Sequence, residues 1–386
     1  MNAADSLRIF LAAVSLVSLA TTRVPAADSP GPLATAVQPF VNNHTLAGAV
    51  MLVASRNKVL DVEAAGYSDV GRRKPMKPDA VFWIASQSKP MTATALMMLV
   101  DDGKVRIEDP VELYLPEFKG QMVEAERDAS HVLLRKPSHP ITVKEVLSHT
   151  SGLPFKSPME EPTLDLLPLR DAVRSYALVP LQFEPGTKYQ YSNAGINVAA
   201  RIIEVASGMS YEMFLDTRLF RPLGMKDTTF WPNADQLRRL AKSYKPTPGK
   251  MYLDETTIGQ LKYPLDDRKR QPVPAGGLFS TAADVGRFCE MILNGGRLDG
   301  KVYLSETSLR RMVAKQTGDL KESYGLGWST GPSTFGHGGA YSTSMTIDIK
   351  RGLVLVWMVQ HAGYPGDGAK SYDAFKQAAE QRFGNK

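Results

Sequence analysis

Residues 83–90 read Trp-Ile-Ala-Ser-Gln-Ser-Lys-Pro, and the next ten, 91–100, are almost wholly apolar and good helix formers. Residues 101–103, Asp-Asp-Gly, form a helix stop signal. The pattern predicts a buried helix that begins near Ser86. Because residues three apart share a helix face, Lys89 is expected beside the Ser86 hydroxyl, at the end of the helix that favours negative charge.

The S-x-x-K spacing alone is also typical of a helix cap. Serine is a preferred N-cap, and a chain of this composition should show roughly one or two such matches by chance. A second match, Ser55-Arg56-Asn57-Lys58, lies between two strand-like runs and indicates a hairpin turn. Ser86 and Lys89 therefore become candidate catalytic residues only if other parts of the chain supply partners.

Composition places the chain among ordinary globular proteins. It has 386 residues, of which 43% are hydrophobic and 22% charged, enough for one large or two moderate domains. The net charge of +6 is too mild to indicate a nucleic-acid partner. The basic cluster 268–270 follows Asp266-Asp267 and lacks interleaved aromatic residues, which is typical of a solvated loop. The single cysteine, Cys289, excludes an intrachain disulfide, and its helical spacing from apolar neighbours predicts a core position.

The N-terminal segment has the pattern of a secretory signal peptide. The apolar run 7–20 carries a single charge, Arg8, near its start, and Val24-Pro25-Ala26 offers small residues for cleavage. We expect residues 1–26 to be removed and the mature protein to be periplasmic or secreted. An uncleaved anchor is the alternative, although the run is short for a bilayer span. We expect no stable membrane insertion elsewhere.

Periodicity predicts strands at both ends of the chain and helices between them. We expect an α/β (α+β) fold, in which an antiparallel sheet flanked by terminal helices carries a mainly helical inserted domain. The predicted sheet domain is 27–85 with 300–386, the helical domain is 86–299, and the site lies in the cleft between them. The expected elements are a helix over 33–41, a hairpin over 47–67, a polar loop over 121–139, helices over 142–147, 194–206 and 282–294, strands over 324–329, 342–349 and 353–360, and a closing helix over 371–383.

Tyr191 is the candidate base that a serine nucleophile needs. It begins Tyr191-Ser192-Asn193, the only Y-x-N in the chain, just before a predicted helix. A phenol is a poor base near neutral pH, but a neighbouring ammonium such as Lys89 would favour the phenolate. The alternative is a packed loop tyrosine.

A glycine-rich stretch, Phe335-Gly336-His337-Gly338-Gly339-Ala340, is expected at the entrance to a strand. Glycines let a backbone approach a substrate closely, and the Ala340 N–H on an edge strand would join the Ser86 N–H as an oxyanion donor. The alternative is a glycine-rich turn with an incidental histidine.

Together the three elements resemble the serine β-lactamase and penicillin-binding-protein superfamily, whose signature is S-x-x-K, a second polar motif and K-T-G. The Y-x-N form is most similar to class C β-lactamases and family VIII carboxylesterases. The resemblance implies Ser86 as nucleophile, Lys89 and Tyr191 as the proton-transfer pair, and Asn193 as a ligand of substrate and Lys89. It also implies that His337-Gly338-Gly339, followed by Ala340, stands where K-T-G would bind substrate. Other stretches typical of the superfamily are 147–153, 184–186, 222–225 and 276–278.

One departure from the superfamily pattern bears on the substrate. Where β-lactamases use a lysine to hold the substrate carboxylate, this chain has His337, which is largely neutral near pH 7. The one E-x-x-L-N match, at 290–294, lies in the helix expected over 282–294 and away from the three motifs, so we expect a deacylating water to depend on Tyr191. These differences favour esters over antibiotics.

We therefore predict a serine hydrolase, most simply a carboxylesterase that forms an acyl-Ser86 intermediate. A β-lactamase, a D-amino-acid peptidase or amidase, and a sensor that acylates once and stalls remain alternatives. No cofactor and no metal is expected, since the histidines do not pair at ligand spacing and His149 is interpreted as a structural group. The expected partner is a small-molecule ester or amide, and not nucleic acid.

Overall fold

The computed structural model describes residues 31–384, and the predicted signal peptide, 1–26, lies outside them. Within these residues the α-helices are α1 Pro32–Asn42, α2 Ser88–Asp101, α3 Val143–Leu147, α4 Leu169–Ala177, α5 Asn193–Ser207, α6 Tyr211–Leu215, α7 Arg221–Leu223, α8 Ala234–Arg239, α9 Ala282–Leu293, α10 Glu306–Val313 and α11 Lys370–Phe383. The strands are β1 Gly48–Ala54, β2 Val59–Asp69, β3 Lys74–Pro75, β4 Phe82–Trp83, β5 Val123–Arg127, β6 Val132–Arg135, β7 Ser243–Pro246, β8 Leu253–Thr256, β9 Phe279–Ser280, β10 Arg297–Leu298, β11 Lys301–Val302, β12 Ser329–Thr330, β13 Thr334–Gly338, β14 Ser344–Asp348 and β15 Leu353–Met358.

The two ends of the chain form one antiparallel sheet, as predicted. Its seven strands run in the order β12-β13-β14-β15-β1-β2-β3. The central strands β1 and β15 are buried at every position. Helices cover both faces, since α1 and α11 pack on one and α9 on the other. Burial on both faces explains why these two strands are continuous apolar runs rather than alternating ones.

Helix α9 joins the sheet to the rest of the molecule. It falls inside the stretch 86–299 that was predicted as helical domain, yet it packs on β1, β14 and β15. Cys289 lies on α9 with 0% exposure, which confirms its predicted place in the core. The Thr281 hydroxyl caps the helix by accepting the Asp284 N–H, while the Asp284 carboxylate accepts from the Asp227 N–H and the Thr228 hydroxyl. This carboxylate thereby ties the preceding loop to the helix start.

Helix α2 is the buried centre of the helical part. Its residues 88–99 are all buried, because α5, α6 and α10 pack around it. A helix enclosed on every side has no polar face, which accounts for the apolar run in the sequence. Helix α2 begins at Ser88, two residues after Ser86, which lies in a 3-10 turn, Ala85–Gln87, that leads directly into the helix.

Three sequence expectations for local structure were wrong. Residues 121–139 are not only loop, because β5 and β6 pair there as a hairpin. The expected strand 324–329 is reduced to an isolated bridge, since Gly327 takes φ 75° and turns the backbone against α2, where a Cβ would lie 2.6 Å from that of Ala93. Gly338 is the last residue of strand β13 and Gly339 follows it, so the glycines lie at the end of a strand rather than at the entrance to one.

Candidate active site

A strained turn presents Ser86. Ala85, directly before it, has φ 46°, a conformation that costs an L-residue of order 1–2 kcal/mol. The turn is held from behind, because the Ser88 hydroxyl donates to the Ala85 carbonyl at 2.7 Å and accepts the Leu278 N–H at 3.3 Å. Ser86 is the one residue of 81–90 that is partly exposed. The surrounding structure therefore fixes the backbone of Ser86 and leaves its side chain accessible.

The Lys89 amine lies beside the Ser86 hydroxyl, as the spacing predicts. Its Nζ is 3.0 Å from Ser86 Oγ and donates to the Ala275 carbonyl at 2.7 Å. Lys89 has 0% exposure, and this burial lowers its pKa well below the usual value. The amine is thus driven towards its neutral form, which carries a lone pair that can accept the hydroxyl proton.

The loop that provides the Ala275 carbonyl is itself tied to the Ser86 turn and α2. Thr92 Oγ1 donates to the Pro274 carbonyl at 3.0 Å, and Trp83 Nε1 donates to the Gly276 carbonyl at 2.7 Å. The sequence Pro274-Ala275-Gly276-Gly277 indicated a tight loop but gave no sign that it reaches the lysine.

Tyr191 reaches the same oxygen from the other side. Its phenol is hydrogen bonded to the Ser86 side chain, and the Lys89 Nζ lies 4.6 Å from the centre of its ring. Burial raises the pKa of Tyr191, although the hydrogen bond with Ser86 opposes the shift. The expectation of a phenolate is therefore wrong, because desolvation penalises the charged form of both groups. Of the two groups, only Lys89 is shifted by burial towards the unprotonated form that can accept a proton.

His149 holds the Tyr191 loop. Its Nδ1 accepts the Ser192 N–H at 3.2 Å, and its carbonyl accepts the Gln190 N–H at 2.9 Å, so the backbone is fixed on both sides of Tyr191. The imidazole ring packs 4.5 Å from the Tyr191 ring, centre to centre. Its Nε2 is buried and has no hydrogen-bond partner in the described part of the chain. The structural role inferred from sequence is correct, but its place beside Tyr191 was missed.

Asn193 begins α5 and is 6% exposed. Its N–H donates to the Phe155 carbonyl at 3.0 Å. The expected hydrogen bond between its side chain and Lys89 does not form among residues 31–384. The Lys89 amine is instead satisfied by Ser86 and the Ala275 carbonyl. A contact between Asn193 and substrate stays a prediction.

The His337 side chain is buried rather than directed to a substrate. It is 7% exposed, its Nδ1 donates to the Gly338 carbonyl at 2.7 Å, and its Nε2 accepts from the Tyr324 hydroxyl at 2.9 Å. Burial, with a smaller contribution from Lys89, lowers the pKa of His337 to about 3. The imidazole is therefore neutral at any physiological pH. The partner Tyr324 was not found from sequence because the bridge that positions it was interpreted as a strand.

The backbone after His337 passes close to the Ser86 turn. At Gly339 a Cβ would lie 2.6 Å from the Ile84 carbonyl oxygen, so only glycine fits there. Strand β12 pairs with β13 only as far as Gly336, which leaves the backbone from Gly338 to Ala340 at an open edge. Neither the Ala340 N–H nor the Ser86 N–H has an acceptor within residues 31–384. Both N–H groups proposed as oxyanion donors are thus free to donate.

Within the same described residues no group of three or more His, Cys, Asp or Glu side chains is placed to hold a metal ion. No helix among them is long and apolar enough to cross a membrane.

Comparison with known proteins agrees with this geometry. A family model described as Beta-lactamase matches residues 33–380. An uncharacterised protein of Mycobacterium tuberculosis is 32% identical over 359 residues, which cover 82% of this chain and 86% of that protein. Esterase EstB of Burkholderia gladioli is 29% identical and covers 89% of this chain and 93% of its own. The D-alanyl-D-alanine-carboxypeptidase/endopeptidase AmpH of Escherichia coli is 27% identical, over 70% of this chain and 67% of its own.

Solved structures share the fold. EstCE1, described as a hydrolase with promiscuous acyltransferase activity, superposes with a TM-score of 0.74 over 90% of this chain and 98% of its own, at 23% identity. Simvastatin synthase of Aspergillus terreus superposes with a TM-score of 0.76 over 93% of this chain and 100% of its own, at 19% identity. These similarities confirm the predicted α+β architecture of sheet and helices.

Proposed function

This chain belongs to the Beta-lactamase family of serine hydrolases, and we propose that it is an exported carboxylesterase that cleaves esters through an acyl intermediate on Ser86. The choice of an ester as substrate rests on the neutral, buried side chain of His337. In the position where the superfamily places a lysine for the substrate carboxylate, this chain has a buried neutral imidazole bonded to Tyr324. A substrate without a carboxylate needs no cation there.

The first step is acylation. The neutral amine of Lys89 accepts the Ser86 proton as Oγ attacks the ester carbonyl, and the N–H groups of Ser86 and Ala340 stabilise the oxyanion. Tyr191 donates its proton to the departing alkoxide and recovers one from the Lys89 ammonium. The alcohol leaves and the acyl group stays on Ser86.

Deacylation reverses the proton path. Water takes the place of the alcohol, passes a proton to the same pair, and attacks the acyl carbonyl. Ser86 leaves with a proton and the acid is released. Because the pair gives back every proton that it accepts, Lys89 and Tyr191 return to their starting protonation states after each turnover.

The similarity to EstB supports the ester assignment, and AmpH represents the peptidase alternative. A substrate panel separates them: p-nitrophenyl esters of short and long acids, nitrocefin, and D-Ala-D-Ala peptides, each on wild type and Ser86→Ala. We expect Ser86-dependent steady-state turnover of the esters. Faster turnover of nitrocefin or the peptides would overturn the proposal, and a stoichiometric burst without turnover would identify a sensor.

Export rests on the sequence pattern of residues 1–26. Expression of the full chain in a bacterial host, followed by fractionation and mass spectrometry of the N-terminus, tests it. We expect a mature protein beginning at Ala27 in the periplasm or medium. A cytoplasmic protein that retains residues 1–26 would contradict export.

A further inference from the structure

A row of buried polar side chains leads from the surface segment 155–161 to the active site. Glu160, Tyr176 and Asn197 come from a 3-10 turn, α4 and α5, and are 1%, 0% and 3% exposed. Burying three polar side chains together costs stability unless each finds a hydrogen-bond partner. None of them touches Ser86, so the proton path described above does not explain why they are there.

The hydrogen bonds in this row can run in only one direction. A backbone N–H only donates, so the Ala275 N–H, 3.2 Å from Asn197 Oδ1, fixes which way the Asn197 amide faces. The Asn197 Nδ2 then donates to the Tyr176 hydroxyl at 2.9 Å. That hydroxyl in turn donates to Glu160 Oε1 at 2.7 Å, while Oε2 accepts the Ser157 N–H at 2.7 Å.

The row ends at the residue that binds the lysine. Ala275 accepts from Lys89 through its carbonyl and donates to Asn197 through its N–H. Within residues 31–384 these are its two hydrogen bonds. Thr92 and Trp83 bind the carbonyls of Pro274 and Gly276, but neither is bonded to Ala275 itself.

We propose that Asn197, backed by Tyr176 and Glu160, is a positioning residue that holds Ala275 so that its carbonyl directs the Lys89 amine at Ser86. The inference rests on the proposed function, because it assigns the orientation of the base in that reaction. Orientation matters because a shift of about 1 Å in a reacting group can cost a factor of about 100 in rate. Without the Asn197 acceptor, Ala275 has no partner to hold its N–H, and its carbonyl is free to turn away from Lys89.

Two measurements test this on the full chain. The rate at which a fluorophosphonate probe labels Ser86 reports the activated nucleophile whatever the natural substrate is, and kcat and KM for p-nitrophenyl butyrate report turnover. For Asn197→Leu, which has similar volume but no polar atoms, we expect labelling and kcat to fall about 10- to 100-fold with KM within about threefold of wild type. For Asn197→Asp, which keeps the acceptor for Ala275, we expect a smaller loss of about threefold.

Tyr176→Phe removes the hydroxyl between Asn197 and Glu160, and we expect about a threefold to tenfold fall in kcat. Tyr303→Phe is the matched control, because it deletes a phenol that donates to the Pro222 carbonyl away from this row. We expect it to label and turn over like wild type.

The outcomes separate the two proposals. If the wild type labels at Ser86 but turns over no ester, the ester assignment fails while the labelling ratios still decide the role of Asn197. Folded Asn197→Leu and Tyr176→Phe proteins with wild-type labelling overturn the positioning role. If Asn197→Leu does not fold, the comparison of Asn197→Asp and Tyr176→Phe with Tyr303→Phe decides, and equal rates for all three overturn it. An equal rise in KM and fall in kcat/KM at unchanged kcat overturns it as well.

Discussion

The two sides of Ser86 are built differently. On one side the Lys89 amine is bound by the Ala275 carbonyl, and the Ala275 N–H is held by the hydrogen-bonded row of Asn197, Tyr176 and Glu160. On the other side Tyr191 packs among aromatic rings, and the Nε2 of His149 stays unpartnered in the described chain. The lysine side is arranged to accept a proton, whereas the aromatic side fixes a phenol and excludes charge.

This difference assigns separate tasks to the two groups. Burial lowers the pKa of Lys89 and raises that of Tyr191, which supports our proposal that the amine accepts the proton from Ser86. The phenol, which keeps its own proton, is suited to protonating the leaving alcohol. Changes on the lysine side should therefore cost more activity than changes on the aromatic side.

The largest effect is expected for Lys89. We expect Lys89→Met to lower kcat for p-nitrophenyl butyrate by about 10³-fold or more, because it removes the base. Lys89→Arg should be equally inactive, since a guanidinium does not give up its proton at any working pH. Recovery of activity in Lys89→Arg would mean that this side supplies a positive charge rather than a base.

Tyr191→Phe should follow, with a fall in kcat of about 10²-fold and little change in KM. The ring packing against His149 remains, so the loss reports the hydroxyl alone. Tyr189→Phe is the control, because Tyr189 lies in the same cluster and its hydroxyl has no hydrogen bond within residues 31–384. Equal losses in the two variants would assign the effect to packing instead of to proton transfer.

The pH dependence of activity tests which side of Ser86 carries a group that titrates. Activity should rise with pH as the Lys89 ammonium loses its proton, with an apparent pKa well below that of an ordinary lysine. Stability should also rise with pH. Between the lowered pKa of Lys89 in the folded protein and its higher pKa in the unfolded chain, the unfolded chain binds more protons, so raising the pH stabilises the folded protein. His337, with a pKa of about 3, should contribute no limb.

His337→Gln tests that assignment. A glutamine keeps a side-chain donor and acceptor but has no ionisation in this range. We expect kcat/KM measured from pH 5 to 10 to keep the wild-type limb in this variant. Loss or displacement of the limb would show that the histidine titrates and that the aromatic side does carry charge.

The sequence predicted a contact correctly where both residues belong to one short motif. The spacing of Ser86 and Lys89 fixes their contact because three residues make nearly one helical turn. The strand-like runs at both ends of the chain likewise predicted one antiparallel sheet, in which β1 and β15 are the fully buried central strands.

It failed where the relation depends on distant chain segments. The predicted phenolate of Tyr191 was wrong. The motifs indicate that the Lys89 amine lies near the phenol, but they do not show how completely both groups are buried. Asn197 and Tyr324 were missed since their partners, Ala275 and His337, are 78 and 13 residues away along the chain. The Lys89 bond expected for Asn193 was wrong because a backbone carbonyl, which leaves no mark in the sequence, takes that position.

The smallest catalytic effect should come from Tyr324→Phe. The change removes the hydroxyl that donates to His337 Nε2 and leaves a buried acceptor unpaired, which costs about 1–3 kcal/mol of unfolding free energy. We expect urea denaturation to detect this loss while kcat stays within about threefold of wild type, because no proton in the reaction passes through Tyr324. The opposite result, a large fall in kcat at unchanged stability, would place this phenol in the chemistry. The aromatic side would then contain a second proton path, and the separate roles proposed for the two sides of Ser86 would be wrong.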